Sequence, residues 1–354
     1  MKTLRLKVDA ENLGTPEAGE ALERAAGILR GGGLVALPTE TVYGLGANAL
    51  DQAAVERIFE AKSRPAWDPV IVHVASQAML NGLVEEVPEA ARRLMETFWP
   101  GPLTLLLKRT QAVPDAVTAG RPLVGVRMPA HSVALELIRR AGVPVAAPSA
   151  NRFGHVSPTT AEHVLDDLDG RIDAVVDAGP TMRGVESTVL DPITMTIYRP
   201  GAVTAEQIAE VVGPVEIFQS GPIRDTPAEG LPSPGVGIKH YAPRARLVLV
   251  EARDETGNGE LGVRMAEAAR AASGESLGVM LPGGIAAPEI AGAKIYAWGR
   301  WNEPETLAQG LYAGLRALDA AGCTVILCPL PPAEGIGAAV RDRLLKAGTK
   351  GLRD

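Results

Sequence analysis

Cysteine is nearly absent: 354 residues contain only Cys323 and Cys328. Both flank or sit within the apolar run Thr324 to Leu327, with no CxxC and no Cys/His ligand spacing. They read as buried free thiols, which excludes a disulfide framework and a thiolate metal site. Histidine is also sparse, and positions 73, 131, 155, 163 and 240 form no metal signature. Aromatic residues make up 4% of the chain, little material for stacking nucleic-acid bases. A net charge of −7 argues against broad electrostatic binding of nucleic acid while leaving room for a local basic cleft. No apolar run approaches the roughly 20 residues of a membrane span. Met1 to Lys7 alternates basic with apolar residues like an edge strand and lacks the apolar centre of a signal peptide. A cytoplasmic protein without membrane contact is therefore expected.

What is present suits a soluble chain of two domains: 46% apolar residues can build a substantial core, and 22% are charged. Residues 1–215 alternate helical and strand signals, the pattern of an α/β domain. Thr15-Pro16 opens a helix to about Arg30, and Asp51 caps a second that carries Val55, Ile58 and Phe59 on one face. Strands are expected at 34–37, 70–74, 103–107, 124–126 and 143–147, and helices at 88–98 and 132–140. Thr159 to Glu162 and Thr204 to Gln207 both match the capping box, so a helix should start at each. Residues 216–245 form a Pro/Gly-rich linker or lid; between Gln219 and Pro243 lie five prolines and four glycines. Residues 246–354 read as a smaller α/β unit, with strands at 247–250, 277–281, 294–297 and 324–327. Helices are expected there near 260–273, 303–321 and 336–347.

Three segments carry candidate chemistry. Pro38-Thr39-Glu40-Thr41-Val42-Tyr43-Gly44-Leu45-Gly46 sets three hydroxyls, counting Tyr43, a carboxylate and two glycines just past a strand end, where open α/β sheets commonly place ligands. Lys62-Ser63-Arg64-Pro65-Ala66-Trp67-Asp68-Pro69 would aim Lys62 and Arg64 to one side of an extended segment, suiting a polyanion such as triphosphate. Ala147 to Thr160 leaves a buried strand through Ser149 and Asn151 and brings Ser157 just before a helix N-terminus, where anions are favoured. Smaller features add Arg127 and Arg199 at strand ends and Ser187 at a strand start. Taken singly, each segment also fits a polar turn, a solvated basic loop or a helix cap.

In order and in combination, these segments resemble the YrdC-like L-threonylcarbamoyladenylate synthases over about residues 20–205. Ser233-Pro234-Gly235 and Lys239-His240-Tyr241-Ala242-Pro243 resemble the linker of the two-domain form. The resemblance implies an α/β fold: a YrdC-like twisted mixed sheet with helices in a catalytic domain (1–215), then a smaller C-terminal Rossmann-like α/β domain. It implies a nucleotidyltransferase that joins L-threonine, bicarbonate or CO2 and ATP into threonylcarbamoyl-AMP and pyrophosphate, with Mg2+ accompanying ATP. The product would feed threonylcarbamoyladenosine modification of tRNA. Downstream tRNA-modification proteins are implied as partners; direct tRNA binding stays open.

Carried over by position, Thr41, His73, Arg127 and Ser187 face L-threonine. Arg64, Asp68, Ser149, Asn151, Ser157, Arg199 and Tyr241 face ATP, and Lys62 and Arg64 are the catalytic cations. Phosphoryl-group chemistry of this kind needs positioning and charge neutralisation more than a protein nucleophile. Alanine at either cation is thus expected to collapse turnover with the fold intact. The sequence departs from the family at three places: Asp68 stands where asparagine is common, Leu123 where a small hydroxyl residue is usual, and Phe153 where a small residue is usual. The alternatives are an RNA-binding module and a nucleotide-sensing regulator without catalysis.

Overall fold

The structure, a computed structural model, describes residues 2–219, 241–251, 258–285 and 292–350. Most of the Pro/Gly-rich linker, including Ser233-Pro234-Gly235, Lys239 and His240, lies outside the described residues. The chain divides into two compact units: Met1–Phe153, Ser157–Met182 and Glu186–Ile238 form the first, and Gly154–Val156, Arg183–Val185 and Lys239–Asp354 the second.

The first unit carries an eleven-stranded mixed sheet. Its strands are β1 (Leu4–Lys7), β2 (Val35–Pro38), β3 (Tyr43–Asn48), β4 (Val72–His73), β5 (Leu103–Lys108), β6 (Leu123–Arg127), β7 (Val145–Ala146), β8 (Ala174–Asp177), β9 (Thr188–Asp191), β10 (Thr196–Arg199) and β11 (Glu216–Ile217). The order is β1-β8-β2-β3-β7-β4-β6-β5-β9-β10-β11, so the charged N-terminal strand does occupy an edge. Helices α1 (Pro16–Arg30), α2 (Gln52–Lys62), α3 (Gln77–Leu83), α4 (Glu89–Phe98), α5 (Asp115–Thr118), α6 (Ser132–Ala141), α7 (Ala161–Leu168) and α8 (Ala205–Val212) accompany the sheet.

Strand β2 shows why both sheet faces are apolar. Val35 and Leu37 enter one core with Leu22 and Leu29 of α1 and Leu137 and Ile138 of α6. Ala36 enters the other, with Val55 and Ile58 of α2 and Val164 of α7. A strand covered on both sides reads as a continuous apolar run, as this one does.

Local chemistry sets the helix ends. Thr15 accepts from the Ala18 amide with Pro16 as the first helical residue, and Asp51 accepts from Ala53 and Ala54. The full capping box forms at Thr204 and Gln207. At α7 the expected box is displaced: Thr160, not Thr159, is the cap, accepting from the His163 amide. The Thr159 hydroxyl instead contacts Nδ1 of His163 at 3.2 Å. Of the strand expected at 70–74, only Val72 and His73 join a ladder.

The second unit has a five-stranded parallel sheet in the order β14-β13-β15-β12-β16, from β12 (Arg246–Val250), β13 (Leu277–Gly283), β14 (Lys294–Arg300), β15 (Val325–Pro329) and β16 (Thr349–Lys350). Helices α9 (Asn258–Ala271), α10 (Pro304–Ala320) and α11 (Ile336–Ala347) connect its strands. Cys323 and Cys328 are buried free thiols, as expected. No described helix is long and apolar enough to cross a membrane.

Candidate active site

Backbone pairing in the first unit draws the three chemical segments together. Strand β3 lies beside β7, and an isolated bridge continues that ladder from Gly44 to Ser149. The Leu45 amide donates to the Pro148 carbonyl (2.7 Å), the Ala150 amide to Tyr43 (2.8 Å), and the Tyr43 amide to Pro158 (2.9 Å). The glycines permit this approach. A Cβ at Gly46 would stand 2.9 Å from Leu37 and Val145 side chains, and one at Gly44 would stand 3.2 Å from the Ala147 Cβ. Close packing, not a left-handed backbone, is their reason.

The second segment locks onto the third through Lys62. Its Nζ donates to the carbonyls of Ser149 and Asn151, each at 2.5 Å, from a side chain 1% exposed. Burial first, and the neighbouring Arg64 charge second, hold the Lys62 ammonium well below its ordinary range. The Phe153 amide donates to the Lys62 carbonyl (2.9 Å), and the Phe153 ring packs edge-on against Trp67 with centroids 6.3 Å apart. The bulky residue at 153 thus braces the two loops against each other.

Arg64 donates to the carbonyls of Asp68 and Pro69, and its Nη2 lies 2.9 Å from the Asp68 carboxylate without the alignment of a hydrogen bond. Burial raises the Asp68 carboxyl, while Arg64, Lys62 and Arg199 pull it back. Three cations therefore share the field of this one carboxylate.

A second cluster forms where neighbouring strands end together. His73 pairs with Arg127 across parallel β4 and β6; antiparallel β5 sets its start beside the end of β6, and Leu103 of β5 pairs with Thr188 of β9. Arg127 is 3% exposed; its Nε donates to the Gly101 carbonyl (3.1 Å) and its Nη1 to Thr41 Oγ1 (3.1 Å). Nη2 stands 2.6 Å from Glu40 Oε1. The Thr39 hydroxyl is spent on holding the turn, donating to the Val42 carbonyl at 2.6 Å, so Thr41 is the hydroxyl that meets the arginine.

Arg199 donates through Nε and Nη2 to the Ser187 carbonyl (3.1 and 3.0 Å) and through Nη2 to Ser187 Oγ, which also contacts Thr104 Oγ1 at 2.8 Å. Ser157 donates to Glu186 Oε1 at 2.7 Å. Tyr241 belongs to the second unit, where its ring stacks on Tyr312 (centroids 5.9 Å apart) and Arg343 lies 5.2 Å over it. Its backbone is left-handed, with φ of 64°.

Thr41, His73 and Arg127 are thus neighbours in the fold, as are Lys62, Ser149 and Asn151, Arg64 and Asp68, and Ser187 and Arg199. Sequence reasoning passed over Glu40, Thr104, His131 and Glu186. Only Glu40 had a visible signal, a carboxylate between two hydroxyls in a turn. Among the described residues, no three His, Cys, Asp or Glu side chains group as a metal site.

His73 has a measurable consequence. It is 4% exposed, and burial together with the Arg127 charge lowers its pKa to about 3. Between the ordinary value of 6.5 and about 3, the unfolded chain binds a proton that the folded chain refuses. The stability involved is whole above that window and falls with pH inside it, by up to about 1.4 kcal/mol per unit. Denaturant titrations of His73→Asn between pH 6.5 and 5 should show a flatter acid limb than the parent; equal slopes would refute the assignment.

Comparison with known proteins agrees with this architecture. Residues 27–201 match the Sua5/YciO/YrdC family, described as "Telomere recombination", and residues 203–349 match the "Threonylcarbamoyl-AMP synthase, C-terminal domain". Threonylcarbamoyl-AMP synthase of Pyrococcus abyssi is 44% identical, covering 91% of this chain and 92% of its own. That of Bacillus subtilis is 43% identical, covering 98% of each. The crystal structure of P. abyssi Sua5 complexed with L-threonine superposes with a TM-score of 0.85 at 41% identity, over 98% of this chain and 97% of that one. The chain belongs to this family, as an enzyme of the two-domain threonylcarbamoyl-AMP synthase group.

Proposed function

We propose that the first unit condenses L-threonine, bicarbonate or CO2 and ATP into threonylcarbamoyl-AMP and pyrophosphate, for threonylcarbamoyladenosine modification of tRNA in the cytoplasm. The observation that carries this reading is the buried Arg127 with the Thr41 hydroxyl and His73 beside it, in the same unit as the cations Lys62, Arg64 and Arg199. Arg127 clamps the threonine carboxylate, and His73, Thr41 and Ser187 receive the rest of the amino acid. Arg64, Asp68, Ser149, Asn151, Ser157 and Arg199 serve ATP; Tyr241, expected with them, belongs to the second unit.

A cavity of about 150 Å³, lined in part by Pro69, Ile71, Leu106, Leu123 and Tyr198, offers apolar walls of the kind a nucleobase needs. Leu123 then supplies surface where a hydroxyl contact was expected. Arg64 and Arg199 neutralise charge on the phosphates. Lys62 acts one step back, by fixing the carbonyls of Ser149 and Asn151. Mg2+ bound with ATP would act as counter-ion of the triphosphate, and Asp68 is a carboxylate that could meet it. Asp68, held by Arg64, lies among the cations that would meet the triphosphate charge. The tie between Lys62 and the 149–151 loop needs no covalent intermediate, and neither cysteine takes part.

The direct test incubates the protein with labelled bicarbonate, L-threonine and ATP. Label should appear in an AMP conjugate, with pyrophosphate released in equal amount and only when threonine is present. Pyrophosphate release independent of threonine, or no conjugate, would overturn the proposal.

A further inference from the structure

Among the buried charges without a task, Glu40 stands beside the residues read as holding the amino acid. Glu40 is 2% exposed, and neither carboxylate oxygen has a hydrogen-bond partner, although Oε1 is 2.6 Å from Arg127 Nη2. A carboxylate buried to this degree ordinarily accepts hydrogen bonds on both oxygens, because water is no longer there to do so. The arginine opposite is pinned by Gly101 and Thr41, so the pair has a fixed place. Two imidazoles attend it. His73 is the register partner of Arg127, and His131, at the N-cap of α6, is close enough for the Glu40 charge to act on its ionisation. Nδ1 of each ring is buried and without a partner.

An α-amino acid carries its ammonium and its carboxylate on one carbon. A buried carboxylate beside a buried guanidinium is the complementary arrangement: without ligand the two charges compensate each other, and with ligand each exchanges its partner for the opposite end of the zwitterion. We propose that Glu40 receives the α-ammonium of the amino-acid substrate and takes its proton, making the nitrogen a nucleophile for CO2. This rests on the reading of the site as a threonylcarbamoyl-AMP synthase and adds a catalytic residue to it.

The N–H bond breaks and its proton goes to a Glu40 oxygen, leaving the electron pair on nitrogen. That pair forms the N–C bond to CO2, and one C=O π pair moves to oxygen. The carboxylated nitrogen sheds its second proton to neighbouring neutral His131. The product is the carbamate whose oxygen attacks the α-phosphate.

The test separates this role from mere compensation of Arg127. Affinities for L-threonine and for 3-hydroxybutanoate, the same molecule without its amine, are measured by calorimetry on the full chain. The parent should prefer threonine by about 10- to 100-fold, the worth of a charge-assisted hydrogen bond. In Glu40→Gln that preference should fall by about tenfold or more, because threonine weakens while the deaminated analogue tightens on the released Arg127. Turnover at saturating threonine should fall by about 100-fold or more. Glu40→Asp keeps the charge and should keep the preference. If the carboxylate only compensates Arg127, both ligands tighten together on the released arginine and the ratio stays at the parent value, which would overturn the proposal. A parent that forms product while Glu40→Gln keeps its ratio and rate removes Glu40 alone; a parent that forms no product removes the underlying reading as well. Should Glu40→Gln fail to fold, equal affinity of the parent for the two ligands overturns the proposal and a preference of about tenfold supports it.

Discussion

Lys62→Met should lose about 100-fold or more of its threonine-dependent pyrophosphate release and about 2–4 kcal/mol of stability. Both losses have the same source. The Lys62 ammonium is the donor for two buried carbonyls, Ser149 and Asn151, at 2.5 Å each. A thioether of similar volume fills the space and donates nothing, so both carbonyls lose the hydrogen bond from Lys62. The loop must then shift to find water, and it carries the serine and asparagine read as nucleotide contacts. A displacement of about 1 Å at such groups is enough for the rate loss. Reading the sequence alone, we expected removal of Lys62 to leave the fold intact. The geometry revises this, because a buried lysine bonded to backbone is structural as well as catalytic in effect. Urea titration and a pyrophosphate assay on the same preparation would check both. A variant with parental stability and turnover would sink the argument.

Gly201→Ala is expected to be nearly as severe, at about 2–4 kcal/mol with loss of activity. A Cβ there would stand 2.3 Å from the Thr188 nitrogen, 2.4 Å from the Ser187 carbonyl carbon and 2.5 Å from the Glu186 oxygen. All three are backbone atoms at the entry to β9 and cannot swing aside as a side chain would. Arg199, two residues earlier, is anchored to the Ser187 carbonyl and hydroxyl. Pushing the turn outward therefore moves both an ATP-side arginine and a threonine-side serine. Thermal unfolding and the pyrophosphate assay test this together, and an unchanged melting temperature would mean that the turn has slack which its contacts do not show.

What could be read from residues alone was local. Thr15-Pro16 and Asp51 announce helix starts because their side chains cap amides two or three residues away. Thr159 misled because two adjacent threonines offer the same cap and only the packing of His163 decides between them. Of the 70–74 run only Val72–His73 forms the ladder, although Val70, Ile71 and Val74 also make backbone hydrogen bonds, to Val117, Ala147 and Arg127; apolar content reports burial and not strand register. The candidate segments were visible from residue type and placement, but which ligand each side chain serves was legible only through family resemblance. Glu40 and Arg127 meet across a long stretch of chain, and nothing in either neighbourhood reveals the other. The clamp of Lys62 on two carbonyls was invisible for a further reason: carbonyls belong to every residue, so no side-chain pattern marks them.

The placement of the first strand bears on how the chain is made. Among the described residues, strand β1 has a single neighbour, β8, with Leu4 opposite Ala174 and Lys7 opposite Asp177. Because synthesis runs from N- to C-terminus, strand β1 waits through most of the first unit's synthesis before β8, its ladder partner, exists. Pairing across such a separation is slow to close. The lysine and arginine interleaved in that strand, Arg5 and Lys7, keep the waiting segment soluble and discourage it from adding to the edge of another nascent copy.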